Sequence, residues 1–263
     1  MAQIENGAHE MTDMAIGSAS QPVRWRRQRK RDWPAAFQAF QRLMANKEDT
    51  SQVFAIMHAL DGDACKHDYI RLLSTPDGGR IAYERAELSE KLMDDAWRAS
   101  FPPGSVGAAY VEYLRANDFS PQGMIDESHK GIAPAELERH HPYAWFFRRV
   151  RDLHDIWHVL TGYDRDALGE MCLVAFSFQE THGLGWALIA GGGFLRAHGP
   201  AACKARRALL EASRRGKKAA WLPGEDYEQL LCEPLEAARA RLGLTPPVAY
   251  NAVPRDLRDM TII

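Results

Sequence analysis

Cysteine is scarce in this chain of 263 residues: there are four, Cys65, Cys172, Cys203 and Cys232, and no two stand in a C-x-x-C pair. That spacing excludes a zinc ribbon and argues against a disulfide framework, so buried, reduced thiols are expected. Long apolar runs are also missing. The longest, Gly183 to Leu195, falls short of the roughly 20 residues a helix needs to cross a bilayer. Charge of one sign is not in excess either: a formal net charge of −2 argues against general nucleic-acid binding. Arg26-Arg27 is followed by Gln28-Arg29-Lys30-Arg31 rather than by an apolar stretch, so a twin-arginine signal is not expected. Strand-like alternation is scarce and no internal repeat of 20 to 50 residues is visible.

What is present is helical periodicity. A hydrophobic content of 46% can bury a sizeable core. We therefore expect an all-α protein: a disordered basic tail over residues 1–31 and one helical domain over residues 32–263. Helices are predicted for Trp33 to Ala45, Val53 to Leu60, Cys65 to Leu73, Arg80 to Trp97, Val106 to Arg115 and Pro142 to Leu160, with a short one opening at Pro134. The Gly191-Gly192-Gly193 run reads as a helix end with a flexible turn, because glycine is the default where backbone needs unusual torsions. A lipid-binding reading of that run is the alternative.

The segment with most chemistry is His154-Asp155-Ile156-Trp157-His158, followed after eleven residues by Glu170. Residues four apart share a helix face, so His154 and His158 converge, with Asp155 beside them and Phe147 and Arg151 on the same side one and two turns earlier. Val150, Leu153, Ile156, Trp157 and Leu160 take the opposite, core-facing stripe. On one straight helix Glu170 would lie roughly 18 Å from His158. Thr161-Gly162-Tyr163-Asp164 supplies a reversal, with Gly162 as the stop and Asp164 or Asp166 as the next N-cap. Glu170 then begins an antiparallel helix whose line through Val174, Ser177 and Thr181 faces the histidines. Two imidazoles and two carboxylates without sulfur suit Zn²⁺, and iron, manganese, cobalt or magnesium would also be accepted. The bland alternative is a structural histidine pair with Asp155 bonded to Arg151. A zincin protease requires Glu where Asp155 stands. His140-His141 reads as an interhelix loop, and His182 and His198 as helix ends. Arg151 is the candidate to orient an acidic substrate.

H-D-x-x-H, eleven residues, E resembles the motif of the coenzyme Q (ubiquinone) biosynthesis protein 4 family. Asp49-Thr50, Val53-Phe54, Arg71-Leu72, Gly78-Gly79-Arg80-Ile81, Glu84-Arg85 and Pro103-Gly104-Ser105-Val106-Gly107 extend the likeness over roughly residues 45–255. The resemblance implies a helical protein that binds a divalent metal through His154, Asp155, His158 and Glu170. It further implies oxidative decarboxylation of a polyprenylated 4-hydroxybenzoate-derived precursor, a carboxyl at ring carbon 1 being replaced by a hydroxyl, with the same four residues catalytic. An alternative role in that family is a non-catalytic lipid-binding scaffold with a structural metal. The partners expected are a polyprenylated aromatic lipid, other ubiquinone biosynthesis proteins and further copies of the chain. A groove for the lipid is expected between Phe147, Val174 and the 183–195 run. Basic segments Arg24 to Arg31 and Lys204 to Lys218, beside Trp25 and Trp221, support peripheral contact with the inner, cytoplasmic face of a membrane.

Overall fold

The computed structural model describes residues 30–46, 49–133, 141–259 and 261. The bulk of the basic tail, Trp25, His140 and the short helix expected at Pro134 lie outside them. Arg31, at the expected tail boundary, donates from Nε to the carbonyl of Leu60 at 3.3 Å.

Every regular element among the described residues is a helix, and they form one domain. In chain order these are α1 (Trp33–Ala45), α2 (Ser51–Leu60), α3 (Ala64–Leu73), α4 (Gly78–Glu84), α5 (Leu88–Met93) and α6 (Asp95–Ala99). There follow α7 (Val106–Ala116), α8 (Pro121–Gly131), α9 (Pro142–Asp152), α10 (His154–Thr161), α11 (Ala167–Thr181) and α12 (Leu184–Arg196). The chain closes with α13 (Ala202–Lys218), α14 (Tyr227–Leu230), α15 (Leu235–Arg241), α16 (Val248–Asn251) and α17 (Arg255–Arg258). Side-chain caps set several of the starts: Asp32 for α1, Asp94 for α6, Ser105 for α7, Ser120 for α8 and Asp166 for α11 each accept a bond from a first-turn N–H.

The centre of the molecule is α11. Leu168, Cys172, Leu173, Phe176 and Ser177 are fully buried, and α11 packs against both α12 and α13. A helix buried on all sides loses the one-sided stripe of a surface helix, which is why α11 is apolar round most of its circumference.

Three expectations are corrected. The stretch Arg80 to Trp97 is not one helix: Arg85 takes a left-handed conformation (φ 44°) that ends α4, and Asp94 starts α6 anew. Pro142 to Leu160 is interrupted at Leu153, whose N–H is shared between the carbonyls of Arg149 and Val150 at 3.2 and 3.3 Å. That tighter turn shifts the phase of everything after it. The glycine run is continuous helix in α12, and Gly192 and Gly193 of the run, like Gly185 earlier in α12, stand at close contacts, whereas Gly191 faces open space. A methyl group on Gly185 would meet Met57 Sδ at 2.6 Å, and one on Gly192 would meet the Phe40 ring at 2.2 Å, so α12 can lie close on α2 and α1.

The thiols also divide. Cys172 is buried and Cys65 half-buried, but Cys203 and Cys232 are exposed; all four are free. Much of the Lys204 to Lys218 segment serves the fold: Ala205, Ala208, Leu209 and Ala212 face α11, and Arg215 is buried. Trp221 is no free interfacial aromatic, since its Nε1 donates to the Glu180 carbonyl at 2.7 Å and Arg71 lies 4.4 Å over its ring. No helix among the described residues is long and apolar enough to cross a membrane.

Candidate metal centre

Gly162 ends α10 in the left-handed conformation (φ 75°), which costs glycine nothing, and its N–H closes on the His158 carbonyl at 2.9 Å. Four residues later Asp166 caps α11, accepting from the Gly169 N–H at 2.8 Å. Glu170 therefore falls in the first turn of α11, where the positive end of the helix dipole favours a carboxylate. The reversal returns its side chain to the histidines of α10.

Three ligand atoms meet there. His158 Nε2 and His154 Nε2 are 3.2 Å apart, and Glu170 Oε2 lies 3.3 Å from the former and 3.5 Å from the latter. His158 Nδ1 is 3.0 Å from the carbonyl oxygen of Tyr163, an atom that can only accept. The ring proton therefore sits on Nδ1, and Nε2 presents its lone pair to the triangle. Three electron-rich atoms at such range repel one another unless a proton or a cation lies between them. A tetrahedral ion with bonds of about 2.0–2.1 Å sets its ligand atoms about 3.3–3.4 Å apart, so the residues present fit a divalent metal. His158 is 1% exposed, whereas the side chains of His154 and Glu170 are 21% and 38% exposed, which leaves the triangle accessible from one side.

The electrostatics follow. Burial alone would push the Glu170 carboxyl up, but His158 and His154 hold it well below the usual carboxylate range. Burial pushes the His158 imidazole down, and Glu170, Asp155 and the Tyr163 carbonyl outweigh it, so its basicity is raised.

The other expected site residues lie elsewhere. Asp155 is buried but its carboxylate is not among the atoms that gather at the triangle; it lines a separate small hollow with Ser89, Tyr110, Met124 and Asp152, and burial pushes its pKa up. Arg151 is committed to a buried ion pair with Asp152 (Nε to Oδ1, 2.8 Å) and donates to Ser128 Oγ at 3.1 Å, so its guanidinium does not serve the histidine face. The tightened turn at Leu153 accounts for the change of face. Phe147 packs beside Phe54, Ile132 and Met124, while Val174 is buried in the main core. These two belong to separate apolar clusters. His141 caps α9, accepting at Nδ1 from the Tyr143 N–H, and His182 ends α11 in the left-handed conformation (φ 51°).

Sequence reasoning overlooked the residues that hold α10 in place. Arg239 donates from Nε to the Leu160 carbonyl at 3.1 Å and from its terminal nitrogen to the Val159 carbonyl at 2.7 Å. Arg215 donates to the Thr161 carbonyl at 2.8 Å and lies 4.8 Å over the Tyr163 ring. Two cations thus satisfy the last carbonyls of the histidine helix, the favourable sign for that helix end. On the far face Trp157 Nε1 donates to Tyr227 Oη at 2.7 Å. Nothing local in the sequence links Arg215 or Arg239 to a motif more than forty residues away.

The profile of the family described as coenzyme Q (ubiquinone) biosynthesis protein Coq4 matches residues 35–248. The chain belongs to this family. Among curated Coq4 relatives, the mitochondrial ubiquinone biosynthesis protein COQ4 homolog of Rattus norvegicus is 29% identical over 179 residues, covering 65% of this chain and 62% of the rat protein. The Homo sapiens homolog is 28% identical over 203 residues, 73% of this chain and 71% of the human one. A crystal structure from Nostoc punctiforme, of a protein assigned to ubiquinone biosynthesis, superposes with a TM-score of 0.61 over 82% of this chain and 100% of its own. At 19% identity that likeness shows a shared fold. The match to the rat protein stops short of two thirds of its length.

Proposed function

We propose that this chain is a metal-dependent enzyme of ubiquinone biosynthesis, replacing the carboxyl at ring carbon 1 of a polyprenylated 4-hydroxybenzoate-derived precursor by a hydroxyl. The bond between the ring and the carboxyl carbon breaks, carbon dioxide leaves, and a ring carbon–oxygen bond forms. The ring gives up two electrons; dioxygen accepts these and two more from an external reductant, and its second oxygen atom leaves as water.

The observation that carries this reading is the triangle of His154, His158 and Glu170, closed on the His158 side and accessible on the other. A catalytic ion keeps a coordination position for substrate, whereas a structural one is enclosed by four ligands. When bound there, a divalent ion supplies Lewis-acid polarisation of a substrate oxygen. Zinc fits the near-tetrahedral spacing, and iron, manganese, cobalt and magnesium are the alternatives. Tyr163 fixes the tautomer of His158, and Arg215 and Arg239 fix the helix that carries both imidazoles.

Peripheral membrane contact, and association with other ubiquinone biosynthesis proteins and with further copies of the chain, complete the reading. Its support on this chain is the exposed aromatic pair Trp33 and Phe37 on α1, the first helix after the basic segment. A strain lacking the protein should lose ubiquinone and accumulate an intermediate that keeps its ring carboxylate. A His154→Ala copy should fail to restore ubiquinone; rescue by that copy would move the assignment to a lipid-binding scaffold.

A further inference from the structure

Two polar side chains near the α10–α11 hairpin are not among the three that form the triangle. Tyr113, on α7, stacks on the imidazole of His158 with ring centroids 5.4 Å apart and planes 19° from parallel. Its hydroxyl is buried without a hydrogen-bond partner among the described residues. Burial, and after it the carboxylates of Glu170 and Asp155, push its pKa up, so at neutral pH it is a neutral donor. A buried O–H left unpaired costs free energy, and in a native protein it calls for an occupant that completes it. Here the ring that carries it lies flat on a histidine of the metal-binding triangle.

Arg165 stands in the reversal between α10 and α11. Its guanidinium lies 3.9 Å over the ring of Phe119, just past α7. So α7 lays an unpaired hydroxyl-bearing ring on one of the histidines, and the turn that joins the two ligand-bearing helices carries an exposed cation, while Arg151 is tied to Asp152.

We propose that Tyr113 and Arg165 recognise the carboxylate of the aromatic substrate, Tyr113 by donating its O–H and Arg165 as counter-charge. The assignment rests on the metal-site reading above. It makes both residues determinants of which ring is accepted: one that has lost its carboxyl is released, and one that keeps it is held.

The test uses the full chain loaded with Co²⁺, whose d–d absorption reports metal binding before any ligand is added. The protein is titrated with 3-geranyl-4-hydroxybenzoate and with 2-geranylphenol, which differ only in the carboxyl group, and affinities are read from the absorption change and by calorimetry. Wild type should prefer the carboxylate at least tenfold. Tyr113→Phe, which keeps the stacked ring, and Arg165→Gln, at an exposed position, should keep the cobalt content and the ligand-free spectrum, yet each reduce that preference by fivefold or more. A purely structural effect would weaken both ligands alike. An undiminished preference in both variants, or no preference in wild type, overturns the proposal. Absence of a cobalt band in wild type overturns the metal reading itself and is seen before any ligand enters.

Discussion

Glu180, near the end of α11, is 2% exposed, and its Oε2 accepts a bond from the Leu222 N–H at 2.9 Å. Burial pushes its carboxyl from 4.5 up to about 8, against the opposing pull of that bond and of Arg71. Asp68, close enough to add to the effect, is itself pushed up to about 7 by burial. Between 4.5 and about 8 the folded protein keeps a proton that the unfolded chain has released. The stability contributed by this group is therefore complete below pH 4.5 and is lost as pH rises through about 8. At about 1.4 kcal/mol per pKa unit, the whole window is worth about 5 kcal/mol at most, a large share of a domain's net stability of about 5–15 kcal/mol. Glu180→Gln keeps an acceptor for Leu222 and cannot ionise. Urea unfolding of both proteins at pH 5, 7 and 9 should show a small difference at pH 5 and an advantage of several kcal/mol for the variant at pH 9. Taking the difference cancels groups that titrate alike in both proteins. A pH-independent difference would refute the argument.

Replacing His158 by Ala should abolish metal content by elemental analysis while leaving most far-ultraviolet helicity, because Trp157 and Leu160 keep the core face of α10. Unchanged metal content in that variant removes the site. Arg239→Met frees the carbonyls of Val159 and Leu160 and should weaken metal affinity about tenfold, as loss of an outer partner does elsewhere, with little change in helicity; unaltered affinity would mean that α10 holds its own place. Gly185→Ala drives a methyl group into Met57 and should destabilise the domain by about 1–3 kcal/mol in urea unfolding. A neutral result there would show that α12 lies more loosely on α2 than its spacing requires.

The parts of the site legible in the sequence are those set by local rules. Gly162 and Asp166 announce a helix stop and a helix start by their own chemistry, and fourfold spacing joins His154 to His158 whatever surrounds them. With the reversal in place, Glu170 could be brought to them on paper. Arg151 was misread because its face depended on an unbroken helix through Leu153, and nothing in the apolar pattern there marks a shared hydrogen bond. The Gly191-Gly192-Gly193 run is ambiguous for a related reason: whether it loosens a helix or lets another helix approach is decided by Phe40 and Met171, distant in the chain. Tyr113 and Arg165 carry no periodic signal. Only the packing of α7 on α10 brings the first to the histidines, and only the course of the turn brings in the second.

The histidines and Glu170 sit on opposite sides of the Gly162 turn, so an ion held by all three is also a clasp across a helical hairpin. Capture of the ion and closure of that hairpin are then one thermodynamic event, and whatever tightens one tightens the other. A metal at a hundred times its dissociation constant would add about 2.7 kcal/mol to folding. Ranking candidate ions thus requires no turnover assay: the rise in unfolding temperature with each ion orders their affinities. Selection of an ion at this site would come only after the turn has formed, since in the unfolded protein the three side chains are scattered.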